Sequence, residues 1–368
     1  MERDSGPPFP GGPLFVVGHV TRHNRVVGSS TMASPTLLLS SKIPSDCGID
    51  DFDLVAHGGR LLAVCADSVS NVYSWDPAAD RWREHPLESP FDDPDIDIVE
   101  IVGIAAVEAD GRIVVGGGAD HQPFALWDLE TGAVRSHARL DHAGVRRARG
   151  GVLGGRPVLV AGDGSVPPRL RIWDARGDDA TEPPEFHAGF ESTGDVAIGE
   201  YDGNPVVVWG QGDGTVTMWD VAKGEASHLP RCPVGVTGVG MATVDGEERV
   251  VVAGEDLVAL ADPHTGEWFE PEPSEEDEEY DEDEDESGIT CMDTGVLAGR
   301  PVAVVGTADG RIQLWDLTTP RPIGEPARGH EEDVNAVRVT VLDGRTVAIT
   351  AGRDDHMRVW DLAPVVDW

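Results

Sequence analysis

Lysine is almost missing from this chain: of its 28 basic residues only Lys42 and Lys223 are lysines, and the rest are arginines. Basic residues are also scarce overall, because 67 acidic residues leave a formal net charge of −39. Nucleic acids and anionic membranes are bound through clustered Lys and Arg side chains. The composition therefore argues against either of them as a partner.

Cysteine and long apolar runs are scarce as well. The four cysteines, Cys47, Cys65, Cys232 and Cys291, show no Cys-x-x-Cys spacing, which favours reduced thiols over disulfides or a metal site. No apolar run approaches the ~18–20 residues of a membrane span. The N-terminal stretch LFVV is too short to be the core of a signal peptide. The sequence predicts a soluble, cytoplasmic protein.

What the chain does contain is a repeated segment. Residues 299–316 read GRPVAVVGTADGRIQLWD, and residues 344–361 read GRTVAITAGRDDHMRVWD. In each copy a Gly-Arg turn leads into a β-branched run, a Gly/Asp-rich turn follows, and an alternating stretch ends in Trp-Asp. Val, Ile and Thr runs between such turns indicate strands, so each copy predicts a β-hairpin.

The repeat extends through most of the chain. Trp-Asp recurs with its tryptophan at positions 75, 127, 173, 219, 315 and 360, and Ala261-Asp262 takes its place in one further unit. The preceding turn glycines are Gly59, Gly111, Gly155, Gly203, Gly246, Gly299 and Gly344. Their spacing of roughly 47 residues slightly exceeds the ~40–45 typical of propeller blades. The surplus lies around residues 83–98 and 268–287.

Each unit also begins with a further strand, marked by paired apolar residues such as IVGI (101–104) and VNAV (334–337). A four-stranded sheet cannot bury both of its faces alone, so neighbouring units must stack. Regularly spaced short strands also suit a two-sheet β-sandwich, but seven units of matched length favour an all-β, seven-bladed β-propeller of four-stranded antiparallel blades. Because few residues follow Trp360, we expect an N-terminal strand to close the ring, with 36–41 pairing with 356–361.

These repeats resemble the WD-repeat (WD40) propeller family over residues 35–361, most closely in the segment from Gly329-His330 to Trp360-Asp361. The arginine bias and repeat style resemble those of actinobacterial, and hence bacterial, members. The resemblance implies a hydrogen-bonded structural network in the last blade, made by His330, Thr350, Asp354 and Trp360. Other units lack the matching histidine, so the network is expected to be complete in one blade only.

Outside the repeats, two regions differ in composition. Residues 1–33 are expected to be a disordered tail or an upstream extension, with Met32 as a possible natural start and 1–31 dispensable. The propeller is expected to occupy 34–368. Within it, the run EPEPSEEDEEYDEDEDE (270–286) carries thirteen carboxylates and almost no apolar residue, so 270–287 is predicted to be a disordered acidic loop.

No catalytic motif is found. The chain has no nucleophile elbow, no phosphate loop and no zinc-type spacing, so neither a catalytic residue nor a metal or other cofactor is assigned. The acidic stretch FDDPDIDI (91–98) lacks the glycine and final glutamate of a calcium-binding EF-hand loop, and a solvated loop is favoured. Inner strands such as VAIGEYDG and VNAVRVTV are predicted to bring no converging His, Ser or carboxylate groups to the central channel.

The family resemblance implies binding on the face where the outer strand of one blade connects to the inner strand of the next. The sequence therefore predicts a non-catalytic, monomeric scaffold for a protein or peptide, with a basic segment as the favoured partner of these mostly acidic loops. Charge for solubility alone is an open alternative. Another is a hydrolase or lyase with its site in the channel, which three or more converging polar groups there would favour. The candidate partner-binding residues are His142, Arg146, Phe190, Glu191, Glu331, Glu332, Asp333, Glu278, Glu279 and Asp281.

Overall fold

The structure, a computed structural model, describes residues 33–91, 100–119, 124–138, 145–163, 170–177, 180–181, 193–232, 234–269 and 288–365. In these ranges the regular structure is almost entirely β-strand, with one 3₁₀ turn at Ala363–Val365. Each predicted repeat forms one four-stranded antiparallel sheet, and seven sheets form the blades of a propeller. The predicted fold class is therefore confirmed.

The strands follow one another along the chain, each blade running from its inner to its outer strand. After β1 (Thr36–Lys42), blades 1 to 3 comprise β2 (Ile49–His57), β3 (Arg60–Asp67), β4 (Val72–Asp76), β5 (Arg81–His85); β6 (Gly103–Ala109), β7 (Arg112–Gly118), β8 (Phe124–Asp128), β9 (Val134–Ala138); and β10 (Val145–Leu153), β11 (Arg156–Asp163), β12 (Leu170–Asp174), β13 (Ala180–Thr181). Blades 4 to 6 comprise β14 (Thr193–Tyr201), β15 (Asn204–Gln211), β16 (Val216–Asp220), β17 (Glu225–His228); β18 (Gly238–Val244), β19 (Glu247–Gly254), β20 (Leu257–Ala261), β21 (Trp268–Phe269); and β22 (Ile289–Leu297), β23 (Arg300–Thr307), β24 (Arg311–Asp316), β25 (Arg321–Arg328). Blade 7 comprises β26 (Val334–Leu342), β27 (Arg345–Gly352), β28 (His356–Asp361) and the N-terminal β1.

The first hairpin of each blade turns where the sequence predicts. In blades 2 and 7, Asp110-Gly111 and Asp343-Gly344 both have positive φ angles. Consecutive positive φ angles characterise the tight hairpin turn whose twist matches the strands, and Asp-Gly is among its preferred sequences. These turns define the bottom of the propeller. The opposite end, where one blade connects to the next, is the top.

Ring closure follows the predicted pairing. Strand β1 pairs antiparallel with β28, from Thr36 opposite Asp361 to Lys42 opposite His356. The outer strand of blade 7 is thus supplied by the other end of the chain. The pairing of 36–41 with 356–361, predicted from the spacing of the repeats, is therefore confirmed.

Seven apolar clusters lie between the blades, one at each interface. The tryptophan of each Trp-Asp pair belongs to the cluster shared with the preceding blade; Trp127, for example, packs with blade 1 residues and Trp173 with blade 2 residues. In blade 5 the smaller Ala261 takes this position, and Trp268 from the neighbouring strand packs against the same cluster. Blade stacking therefore buries the face that no single sheet could cover.

Side chains near the start of the inner strands tie successive blades together at the top. Thr237 Oγ1 donates to the Ile289 carbonyl (2.9 Å), Thr290 Oγ1 donates to that of Val334 (2.5 Å), and Asn335 Nδ2 donates to that of Ile49 (2.8 Å). The last of these bonds joins blade 7 to blade 1. It holds the closed ring at the channel side as β1 does at the rim.

Candidate functional site

The four residues of the expected network in blade 7 lie together. Trp360 Nε1 donates to Thr350 Oγ1 (2.9 Å), Thr350 Oγ1 lies 2.7 Å from His330 Nε2, and His330 Nδ1 lies 2.9 Å from Asp354 Oδ1. A neutral His330 that carries its proton on Nδ1 satisfies every bond in this chain, since Thr350 then donates to Nε2. Burial lowers the pKa of His330, which favours that neutral form.

Arg358 completes this network, and the sequence reasoning missed it. Its Nη1 lies 2.8 Å from Asp354 Oδ2, and the Glu331 backbone N–H donates to the same oxygen (3.0 Å). Burial alone would raise the pKa of Asp354, but the hydrogen bond from His330 together with these contacts holds it well below its ordinary value. The available signal was an arginine in the strand that ends in Trp-Asp. A strand residue so close to a buried tryptophan needs a partner when it is charged.

The network supports an acidic surface at the top. The backbone bonds Ile43 N–H to Asp355 O and Arg353 N–H to Asp333 O bring the loops 43–48, 329–333 and 353–355 side by side. Five carboxylates cluster there. We call them the acidic top edge: Asp46, Glu331, Glu332, Asp333 and Asp355.

Few cations offset these carboxylates. Lys42 Nζ lies 2.9 Å from Asp46 and 3.8 Å from Asp355, while Arg353 lies 3.9 Å from Asp333. The Glu331 and Glu332 side chains are exposed, and neither forms an ion pair with another residue that the structure describes. The edge is therefore a net-negative, solvent-facing surface on a rigid blade.

The other candidate partner-binding residues are not placed. Six of them lie outside the described residues: His142, Phe190, Glu191, Glu278, Glu279 and Asp281. The acidic run 270–286, residues 1–32 and the stretch 92–99 also lie outside them. Arg146 lies within β10, where only its backbone is described.

The central channel contradicts the expectation that no carboxylates converge there. Inner strands from five blades bring together six charged residues, which we call the channel charges: Asp51, Asp53, Arg149, Asp195, Asp293 and Arg338. Each strand supplies only one or two of them. Because ring closure creates the cluster, no single strand's sequence reveals it; the signal was the recurrence of Asp or Arg at the third and fifth inner-strand positions.

Two arginines bridge the carboxylates. Arg149 Nη2 donates to Asp195 Oδ1 (2.8 Å), and its Nη1 lies 3.6 Å from Asp51. Arg338 Nη2 donates to Asp51 Oδ1 (3.2 Å) and to the Phe52 carbonyl (2.7 Å). Burial alone would lower the pKa of Arg149, but the carboxylates of Asp195, Asp51 and Asp53 raise it. Both guanidiniums join blades across the ring through these contacts.

The carboxylates also bind the unpaired edges of neighbouring inner strands. Asp53 Oδ2 accepts from the backbone N–H of Ala106 (3.0 Å) and of Gly150 (2.6 Å), Asp195 accepts from Val239 (3.2 Å), and Asp293 accepts from Val339 (2.7 Å). Any side chain at Gly150 would collide with the Ala106 carbonyl, so glycine permits this approach. Free N–H groups at a sheet edge need partners, and these aspartates supply them.

A cavity of about 210 Å³ remains beside these groups, lined by Asp53, Arg149, Asp293 and Arg338 among others. Burial raises the pKa of Asp53 and of Asp293, against the lowering effect of Arg338. Four aspartates face two arginines, so the cluster carries an excess of acid. The described part of the chain shows no group of three or more His, Cys, Asp or Glu arranged to hold a metal ion.

No protein-family model matches this sequence, and a search of curated proteins finds no similar chain. No helix among the described residues is long and apolar enough to cross a membrane. All four cysteines are free thiols; Cys65, Cys232 and Cys291 are buried and Cys47 is half-buried. The propeller fold therefore rests on the structure, and the function has to be argued from its surfaces.

Proposed function

We propose that this protein is a non-catalytic, monomeric, cytoplasmic WD-repeat scaffold whose acidic top edge binds a basic segment of a protein or peptide. The observation that carries the proposal is the excess of carboxylates at that edge, where five of them face only two cations, Lys42 and Arg353, among the described residues. The repeated Trp-Asp hairpins and the hydrogen bonds of His330 support the WD-repeat assignment. Fold alone names no partner, so the charge of the surface decides its class.

Electrostatic attraction of this kind accelerates encounter and weakens with salt, because exposed charges are screened beyond about 8 Å at physiological ionic strength. The rigid strands beneath the edge keep its loops in place, so binding requires little ordering of the scaffold. A partner with several Lys or Arg side chains in an extended segment fits this surface. A neutral or acidic segment does not.

The test compares two variants of equal net charge. Glu331→Gln/Glu332→Gln/Asp333→Asn removes charge from the acidic top edge, and Glu225→Gln/Glu267→Gln/Asp343→Asn removes the same charge from exposed bottom positions. With an octa-arginine peptide as probe, the top-edge variant should bind about tenfold more weakly than the bottom variant, a difference of ~1.4 kcal/mol. Equal affinities would contradict the proposal.

A second candidate, a hydrolase or lyase with its site in the channel, is favoured by the four charged side chains around the channel cavity. The backbone bonds of Asp53 and Asp293 argue that these carboxylates hold the ring. A panel of 4-nitrophenyl esters and glycosides tests this candidate. Release of nitrophenolate by the native protein that Asp293→Asn abolishes would support it, whereas no release argues against hydrolysis of these substrate classes.

A further inference from the structure

A groove of about 670 Å³ lies at the bottom of the propeller between blades 1 and 2, away from both the channel charges and the acidic top edge. Four arginines line it, which we call the groove arginines: Arg60, Arg81, Arg83 and Arg112. Asp76, Asp128 and Glu130 line it as well, so the lining carries a net charge of +1 on a chain whose net charge is −39. The volume lies within the ~300–1,000 Å³ range of small-molecule sites.

Asp76 and Asp128, which also line the groove, hold three of these guanidiniums. Arg60 and Arg81 share Asp76, at 3.3 and 3.5 Å, and Arg112 lies 2.9 Å from Asp128. Both aspartates are buried, whereas the side chains of Arg60, Arg81 and Arg112 are 54%, 68% and 68% exposed. A guanidinium has five N–H donors, and among the described residues each of these three makes only the single ion pair named here. Most of their donors therefore face solvent.

Part of this arrangement recurs in other blades. An arginine after the turn glycine pairs with the Trp-Asp aspartate of the same blade in Arg300–Asp316 (3.9 Å) and Arg345–Asp361 (3.3 Å). Arg60 and Arg112 follow this pattern, which braces the bottom of a blade. Arg81 has a counterpart too, because Arg321 lies opposite Asp316 as Arg81 lies opposite Asp76. What distinguishes the groove is its volume and the additional Arg83. Arg83 forms a bidentate pair with Glu130 (2.7 and 3.0 Å), whereas Arg60 and Arg81 share one carboxylate, so the excess positive charge lies at Arg60 and Arg81.

The floor of the groove is largely apolar. Leu62, Ile113 and Leu129 line it between the arginines, and the hydrogen-bonded pair Ser74 and His85 lines it as well. The Trp82 side chain packs on the other face of blade 1, where its ring stacks on Trp75 and its Nε1 donates to Ser41. A preformed apolar floor flanked by cations fits a ligand with a flat apolar body and an anionic group.

We propose that this groove binds a small organic phosphate in which the phosphate is attached to an apolar ring. The phosphate oxygens accept hydrogen bonds from Arg60, Arg81 and Arg112, whose planar forks match oxyanion geometry. The ring lies on the apolar floor. Asp76 and Asp128 position the guanidiniums and are not themselves ligands.

Isothermal titration calorimetry with phenyl phosphate tests this site, with inorganic phosphate and phenol as half-ligands. Phenyl phosphate should bind at least about tenfold more tightly than either half, since the two contacts add. Arg112→Ala and Arg81→Ala should each weaken it by about tenfold or more. The matched control is Arg345→Ala, which removes the same turn-arginine pair from blade 7, outside the groove, and should leave affinity unchanged.

Melting temperatures of the three variants separate lost binding from lost folding, because Arg112→Ala and Arg345→Ala break equivalent pairs. Three results would overturn the proposal: no heat with phenyl phosphate at about 10 mM, equal affinity of the Arg112 and Arg345 variants, or tighter binding of penta-glutamate than of phenyl phosphate. The last result would identify the groove as a site for acidic peptides.

Discussion

The channel charges and the groove arginines use the same two residue types, aspartate and arginine, in opposite ways. In the channel, Arg338 is buried and each aspartate accepts at least one backbone or guanidinium hydrogen bond. In the groove, Arg81 and Arg112 are about two-thirds exposed and make one ion pair each. Where partners are supplied by the protein itself the charges hold the fold, and where donors are left over they are available to a ligand.

The largest expected effect concerns ring closure, which assembles the channel charges in the first place. Deleting residues 1–43 removes β1 and leaves β28 as an unpaired edge. We expect the melting temperature to fall by at least about 10 °C. The lost strand pairing removes several kcal/mol of stability, and each kcal/mol lowers the melting temperature by ~2–4 °C in a domain of this kind. Differential scanning calorimetry measures the change, with deletion of 1–31 as the control that keeps β1. An unchanged melting temperature after the longer deletion would contradict the closure.

Within the closed ring, Asp53→Ala should destabilise most among single channel substitutions. It leaves the N–H groups of Ala106 and Gly150 without an acceptor and removes the carboxylate beside Arg338. Breaking a buried charged contact costs about 3–5 kcal/mol. Urea unfolding monitored by circular dichroism measures this cost, with the exposed Glu332→Ala as control at less than ~0.5 kcal/mol. A similar loss of unfolding free energy in both variants would contradict the claim that buried charges stabilise the fold more than exposed charges do.

The sequence predicts the blades well because their determinants are local. Turn glycines such as Gly344, the Trp-Asp pairs and the pairing of 36–41 with 356–361 all follow from the spacing of one repeat, and the structure confirms the pairing. The channel charges could not be predicted in the same way. Asp53 and Arg149 lie almost a hundred residues apart on non-adjacent blades, and only the closed ring brings their interactions together.

The groove shows the same limit. The pairs Arg60–Asp76 and Arg112–Asp128 each span sixteen positions and repeat with the blades, so a local pattern exists for them. Arg81 lies opposite Asp76 within blade 1, whereas the approach of Arg112 to these residues depends on how blades 1 and 2 pack. A sequence pattern therefore predicts the bracing of one blade, whereas a site between two blades requires their relative placement.

The blade 7 network should make stability depend on pH. The pKa of His330 is lowered in the folded protein, so below about pH 6.5 the unfolded chain takes up a proton that the folded protein does not. Stability should therefore fall as the pH drops from 6.5 towards the folded pKa. His330→Gln should lower stability at pH 7.5 by about 1–3 kcal/mol and flatten this decline. Urea unfolding at pH 7.5 and 5.5 tests both, with the exposed His264→Gln as control; an equally steep decline in His330→Gln would exclude His330 as the cause.

The smallest expected effect concerns the acidic run 270–286, which lies outside the described residues. Its replacement by a Gly/Ser run of the same length removes thirteen carboxylates and should leave the melting temperature unchanged, since the connection between β21 and β22 keeps its length. Affinity for octa-arginine should fall modestly, and its dependence on sodium chloride should become shallower, because fewer screened charges contribute. Identical salt slopes for the two proteins would mean that the run only aids solubility.

The most direct test of the whole account measures octa-arginine affinity and melting temperature together in two variants. For Glu331→Gln/Glu332→Gln/Asp333→Asn we predict about tenfold weaker binding with an unchanged melting temperature. For Asp53→Ala, assayed below its melting temperature, we predict a clearly lower melting temperature with unchanged affinity. The opposite pattern would be weaker binding by Asp53→Ala and unchanged binding by the top-edge variant. It would contradict the assignment of the buried charges to the fold and of the exposed charges to binding.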